Sequence, residues 1–157
     1  SFSNKFFLLG AGKSICYQLP AVVSEGVALV VSPLIALMQD QVRALNEKNI
    51  KAAVWNSAQK ASDIKEVQAD LYKKQPTIKL LYITPELATS NKFQDFIKGV
   101  FERSMVSLIA IDESHCISSW GHDFRPAYCN LKVLKEKFPS VPMIALTATV
   151  TKKFVHF

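Results

Sequence analysis

Two adjacent carboxylates, Asp112 and Glu113, follow directly on the apolar run Ile109-Ala110-Ile111, and His115 stands just beyond them. Acids at the end of such a run suit two jobs. They hold a hydrated magnesium ion on a nucleotide and activate a water, or they open a helix as N-cap groups. A second candidate is Gly10-Ala11-Gly12-Lys13-Ser14. Glycines let backbone N–H groups turn toward a phosphate, Lys13 would reach the β- and γ-phosphates, and the Ser14 hydroxyl would ligate magnesium. A ligand-free glycine turn is the alternative, and Phe7 stands where the phosphate-loop pattern has its first glycine. Third come Thr147 and Thr149, which either cap a helix or hydrogen-bond to the acids and sense the γ-phosphate. Last, Trp120, Phe124 and Tyr128 alternate with His122 and Arg125. Rings at this spacing pack as core or stack on unpaired bases, with Arg125 meeting a phosphate.

The elements that position these groups alternate between two periods. Short apolar runs at Lys5–Leu9, Val27–Ser32, Ala52–Trp55, Lys79–Ile83, Ser107–Ile111 and Pro142–Leu146 read as strands. Between them, helical patterns are expected over Lys13–Ser24, broken early by Pro20, and over Leu34–Asn46, with Leu34, Leu37, Met38, Val42 and Leu45 on one face. Further helices are expected over Gln59–Lys74, capped by Ser57, and over Lys92–Arg103 and Leu131–Phe138. Alternation of this kind predicts an α/β fold, a mostly parallel sheet with helices on both faces. The carboxyl ends of its strands then gather along one edge, where such sheets keep their chemistry. The lysine loop, the acid pair and the hydroxyl pair each fall at one of those ends.

Composition sets broad limits. A chain of 157 residues with 49% hydrophobic residues buries a real core as one domain. No apolar run reaches the length of a membrane span, and Phe6-Phe7-Leu8-Leu9 is too short for a signal-peptide core. Cys16, Cys116 and Cys129 are odd in number and widely spaced, which fits reduced thiols better than disulfides or zinc. The formal charge of +6 permits a nucleic-acid partner without requiring one.

Taken together the motifs resemble the first RecA-like lobe of a RecQ-family DNA helicase of superfamily 2. Gly10 through Ala21 resembles motif I, Ser32 through Val42 motif Ia, and Tyr82-Ile83-Thr84-Pro85-Glu86 the block that follows. Asp112-Glu113-Ser114-His115 is a DExH box, His115 through Tyr128 resembles the aromatic-rich loop of these helicases, and Ala145 through Thr149 resembles motif III. The resemblance implies a motor, dependent on ATP and magnesium, that unwinds duplex DNA in the 3′ to 5′ direction during repair and recombination. It implies that Gly10, Ala11, Gly12, Lys13 and Ser14 cradle the triphosphate, with Ser14 and Asp112 serving magnesium and Glu113 as catalytic base. His115, Thr147 and Thr149 would couple nucleotide to DNA, Trp120, Phe124 and Arg125 would sense single-stranded DNA, and Ser32 and Pro33 would lie near its backbone. A nuclear location follows for a eukaryotic source.

Two departures stand out. Phe7-Leu8-Leu9 replaces the Met-Pro-Thr that the family has before its glycines, and Ala127 replaces a common acid. The upstream adenine-recognition segment and the second lobe are not represented, so the chain by itself is expected to unwind little or no DNA. Two other readings stay open: a non-catalytic protein on this fold that binds nucleic acid or a partner, and an RNA-directed DExH ATPase.

Overall fold

The computed structural model describes residues 5–8, 12–112 and 125–147, the first four by their backbone only. Six strands make one sheet: β1 (Lys5–Leu8), β2 (Val27–Val31), β3 (Ala52–Trp55), β4 (Leu80–Ile83), β5 (Val106–Ile111) and β6 (Met143–Thr147). Their spatial order is β1-β6-β5-β2-β4-β3, and every pairing among the described residues is parallel. The expected mostly parallel α/β architecture is therefore what forms. β2 and β4 are buried at every position, which is why their sequences are apolar throughout rather than alternating.

Helices cover both faces. On one side α1 (Ile15–Val23) and α2 (Ile35–Glu47) pack through Tyr17, Ala21, Met38 and Leu45 onto Ala28, Val30, Tyr82, Leu108 and Ala110. On the other, α3 (Ala61–Leu71), α5 (Asn91–Glu102) and α7 (Lys132–Lys137) lie over Leu29, Val31, Leu81, Ile109 and Ile111. Two single-turn helices, α4 (Pro85–Ala88) and α6 (Pro126–Cys129), carry the chain across the strand ends. Among the described residues no helix is long and apolar enough to cross a membrane, and Cys16 is a free thiol.

Three local expectations change. Pro20 lies inside α1 without ending it, because buried Tyr17 and Ala21 hold the turns on either side. On α2, Leu34 and Leu37 stay exposed while Met38 and Leu45 are buried. Leu34 is the N-cap residue in extended backbone, outside the helical phase, and Leu37 sits about 100° round the helix from Met38. Ser57 caps nothing. Asn56 folds the loop instead, accepting from Ala58 N at 2.8 Å and donating its own N–H to Gln59 Oε1 at 3.0 Å, so α3 starts later, after Lys60.

The early end of α3 has its own cause, the buried carboxylate of Asp70. It accepts from Thr77 N (3.0 Å), Ile78 N (2.9 Å), Lys73 Nζ (2.9 Å) and the Thr77 hydroxyl, and it pulls the α3–β4 connection onto the helix end. Burial works against its charge. The hydrogen bonds from Thr77, Ile78 and Lys73, with the Lys51 charge nearby, outweigh that and hold it well below the ordinary carboxylate value.

Candidate nucleotide and nucleic-acid site

The carboxyl edge of the sheet collects the candidate groups. Gly12 turns the chain into α1 with φ +113°, a conformation that favours glycine, and the space where a Cβ would stand is open. Lys13 and Ser14 follow, both half-buried, at the start of the helix. Ser14 is the N-cap residue, yet its hydroxyl makes no capping hydrogen bond. A side-chain oxygen at a helix N-terminus, beside a lysine and an open glycine turn, is the donor set expected of a phosphate cradle.

Asp112 leaves the end of β5, its N–H bonded to Val31 O at 2.8 Å. Along β5, Leu108 and Ala110 face α1, whereas Ile109 and Ile111 face away, so Asp112 continues on the α1 side. Its charge is felt there. Tyr17 and Tyr82 are buried with their hydroxyls 3.4 Å apart; burial raises both phenols above their ordinary value, and the Asp112 carboxylate raises them further. Both therefore stay neutral, and the carboxylate has polar but uncharged neighbours below it. The structure thus brings Lys13, Ser14 and Asp112 to one edge and one face. A magnesium nucleotide fits that set: a cation, a hydroxyl and a carboxylate around an open turn.

Thr147 shares the edge but not the face. Ala145 pairs with Ile111 and Thr147 with Leu8, so Thr147 stands two residues further out than the end of β5. Ile144 and Leu146 belong to the α1 side, which turns Thr147 to the opposite one, where it is buried. Ser32 is also buried, its hydroxyl without a hydrogen-bond partner among the described residues, and Pro33 beside it is half-buried. Gly10, Ala11, Glu113, His115, Trp120, Phe124 and Thr149 lie outside the described residues. Among the described residues no cluster of three or more His, Cys, Asp or Glu side chains could hold a metal.

Two residues take a definite role only from their contacts. Tyr128 is wholly buried, which makes it a core ring, one of the two readings open for the aromatic run. Its hydroxyl donates to the carbonyl of Asp112 at 2.8 Å and fixes where β5 ends. Glu86, which the sequence placed in the block after motif Ia without a site role, pairs with Arg125 at 2.8 Å. A cavity of about 470 Å³ opens elsewhere, between α2 and α3 along the free edge of β3. Asp70 and Lys51 in its wall are engaged with each other and with Thr77, so those charges are structural.

A parallel α/β lobe with a lysine-bearing turn and a strand-end aspartate on one face has the arrangement of a phosphate-loop nucleotide-binding domain. A sequence profile for DEAD/DEAH box helicases matches residues 9–157, and the chain belongs to that family. Its curated relatives, at 45–49% identity, are RecQ-type DNA helicases. ATP-dependent DNA helicase Q5 of Rattus norvegicus is 49% identical over 142 residues, covering 90% of this chain and 15% of the relative. RecQ-like DNA helicase BLM of Xenopus laevis is 46% identical over 145 residues, covering 92% and 11%. The chain therefore spans less than a quarter of the length of these relatives. Among solved structures, the helicase MrfA bound to DNA and AMPPNP superposes with a TM-score of 0.69 at 22% identity, over 94% of this chain and 22% of that one. The Hef helicase domain of Pyrococcus furiosus gives 0.62 at 18%, over 97% and 31%. These likenesses carry the fold.

Proposed function

We propose that this chain is the ATP-binding lobe of a RecQ-type 3′ to 5′ DNA helicase, which couples hydrolysis of magnesium-ATP to movement along single-stranded DNA and to unwinding of duplex DNA in repair and recombination. The observation that supports it best is the placement of Lys13, Ser14 and Asp112 at one edge and on one face of the sheet. Lys13 offsets charge on the β- and γ-phosphates, and the Ser14 hydroxyl and Asp112 hold magnesium. The bound nucleotide supplies the phosphoryl group that water attacks. Glu113 takes the proton from that water, and His115, Thr147 and Thr149 relay the state of the site toward the DNA face. Trp120, Phe124 and Arg125 meet single-stranded DNA, with Ser32 and Pro33 beneath its backbone. A eukaryotic source places the protein in the nucleus.

Thermal melting in the presence of nucleotide tests this reading. Ligand at about a hundred times its dissociation constant stabilises a fold by about 2.7 kcal/mol. For a domain of this size that raises Tm by about 5–10 °C. Magnesium-ATP is expected to give such a shift, EDTA to remove most of it, and Lys13→Ala to abolish it. No shift at millimolar magnesium-ATP would refute the proposal and favour a non-catalytic protein on this fold, for which Phe7-Leu8-Leu9 ahead of the glycines is the motivating feature.

A further inference from the structure

Arg125 is tied at the strand edge by two different kinds of partner. Its Nη1 donates to the carbonyl of Pro33 at 2.8 Å, and its Nη2 donates to the Glu86 carboxylate, also at 2.8 Å. The first partner lies just past the end of β2. The second lies in the first turn of α4, which Thr84 anchors by accepting from Leu87 N at 3.3 Å. The two bonds differ in strength of commitment. The Pro33 contact is to a fixed backbone atom, whereas the Glu86 side chain is 55% exposed and that of Arg125 is 36% exposed. Exposed ion pairs contribute about 0–1 kcal/mol, so water or another anion displaces one readily.

Arg125 itself is held in place by its neighbours. It is the residue that opens α6, in extended backbone at φ −125°, and three residues on the buried Tyr128 is bonded to the carbonyl of Asp112. A guanidinium carries five N–H donors in a planar fork, and two are used here. Phosphate binds such a fork through two parallel N–H groups. A phosphate that engages the fork through the Nη2 hydrogen bonded to Glu86 displaces that carboxylate, while Pro33 can keep Nη1.

We propose that Glu86 holds Arg125 in reserve for a nucleic-acid phosphate, so that its carboxylate and the DNA backbone compete for one guanidinium and Glu86 sets the threshold for strand binding. The idea rests on the nucleic-acid reading given above and adds to it a residue that weakens binding. Glu86 keeps the guanidinium paired until a strand arrives. It also returns Arg125 to a defined place when the strand leaves.

The test is a double-mutant cycle read by fluorescence anisotropy of a labelled oligothymidylate. It is run near physiological salt, where charges beyond about 8 Å are screened. Glu86→Gln keeps the shape and removes the charge; freeing Arg125 from a pair of about 0.2–1 kcal/mol is expected to tighten binding about 1.5- to 5-fold. Arg125→Ala is expected to weaken binding and lower the salt dependence by about one phosphate contact. In the Arg125→Ala background, Glu86→Gln is expected to have no effect. An equal gain in both backgrounds means only bulk charge and overturns competition. Unchanged or weaker binding by Glu86→Gln, with the unaltered chain still binding, overturns it as well and leaves the nucleic-acid reading intact. Absence of binding by all four proteins overturns both. Melting curves that match the unaltered chain exclude misfolding of the variants.

Discussion

Replacing Asp70 by asparagine removes one charge from a place built to hold it, and the size of the effect follows from the contacts. One carboxylate oxygen accepts the N–H groups of Thr77 and Ile78, at 3.0 and 2.9 Å; an asparagine oxygen can keep both. The other oxygen accepts from the Thr77 hydroxyl and Lys73, with Lys51 at 3.5 Å, and there an NH₂ group meets donors. Hydrogen bonds to a charged group contribute about 1.5–3 kcal/mol. The lysines are more than half exposed, so screening leaves about 0.5 kcal/mol for each. Asp70→Asn is therefore expected to cost about 2–3 kcal/mol and to lower Tm by about 4–12 °C. The pH dependence has a definite sign. A carboxylate held below its ordinary value of 3.8 contributes fully above that pH, and the contribution is lost as pH falls toward the depressed folded value. Circular-dichroism melts of the two proteins are expected to show a constant gap from about pH 5 to 8 that narrows below about pH 4. A gap under about 1 °C at neutral pH, or one that persists unchanged into acid, would refute this account of how α3 ends.

Gly26 precedes β2 with φ +86°, and a Cβ there would stand 2.3 Å from the carbonyl oxygen of Met105, so Gly26→Ala is expected to cost about 2–4 kcal/mol in strain and displaced backbone. Chemical denaturation measures it; a loss below about 1 kcal/mol would mean that the β2–β5 approach is loose. Tyr128→Phe removes the hydroxyl that holds the Asp112 carbonyl and leaves the ring in the core, so about 1 kcal/mol of stability is expected to go. Magnesium-dependent nucleotide binding is expected to weaken with it, and the nucleotide-induced Tm shift reads that second effect; an unchanged shift would separate the Asp112 backbone from the site.

The sheet was legible in the sequence because buried parallel strands are apolar at every position and helices between them are not. Strand placements at Val27–Val31, Ala52–Trp55 and Leu80–Ile83 agree within a residue or two of expectation. What escaped the pattern depends on contacts between residues far apart in the chain. Asp70 looks like any polar helix residue until Thr77 and Ile78 are folded back onto it. The Tyr128 ring has the spacing of an aromatic loop, yet its hydroxyl meets a carbonyl sixteen residues earlier and the ring is core. Glu86 sits in an exposed turn, and only its partner 39 residues away gives it a role. Lys13 and Asp112, singled out by local chemistry, share one edge and one face of the sheet, whereas strand alternation turns the Thr147 side chain to the other face.

The site also follows from the order of the strands. β1 and β2 are consecutive in sequence, yet β6 and β5 lie between them. The crossover must therefore carry α1 across three strand spacings, about 14 Å in all. A helix taking that path has to lie over one of the intervening strands, and α1 packs on β5 and β2. Lys13 and Ser14 immediately precede its first turn, and Asp112 follows the end of β5. The late strands β5 and β6 have to insert between the first two for the chemistry to assemble. The lysine turn, although first in the sequence, thus gains its partner only when the second half of the chain has joined the sheet.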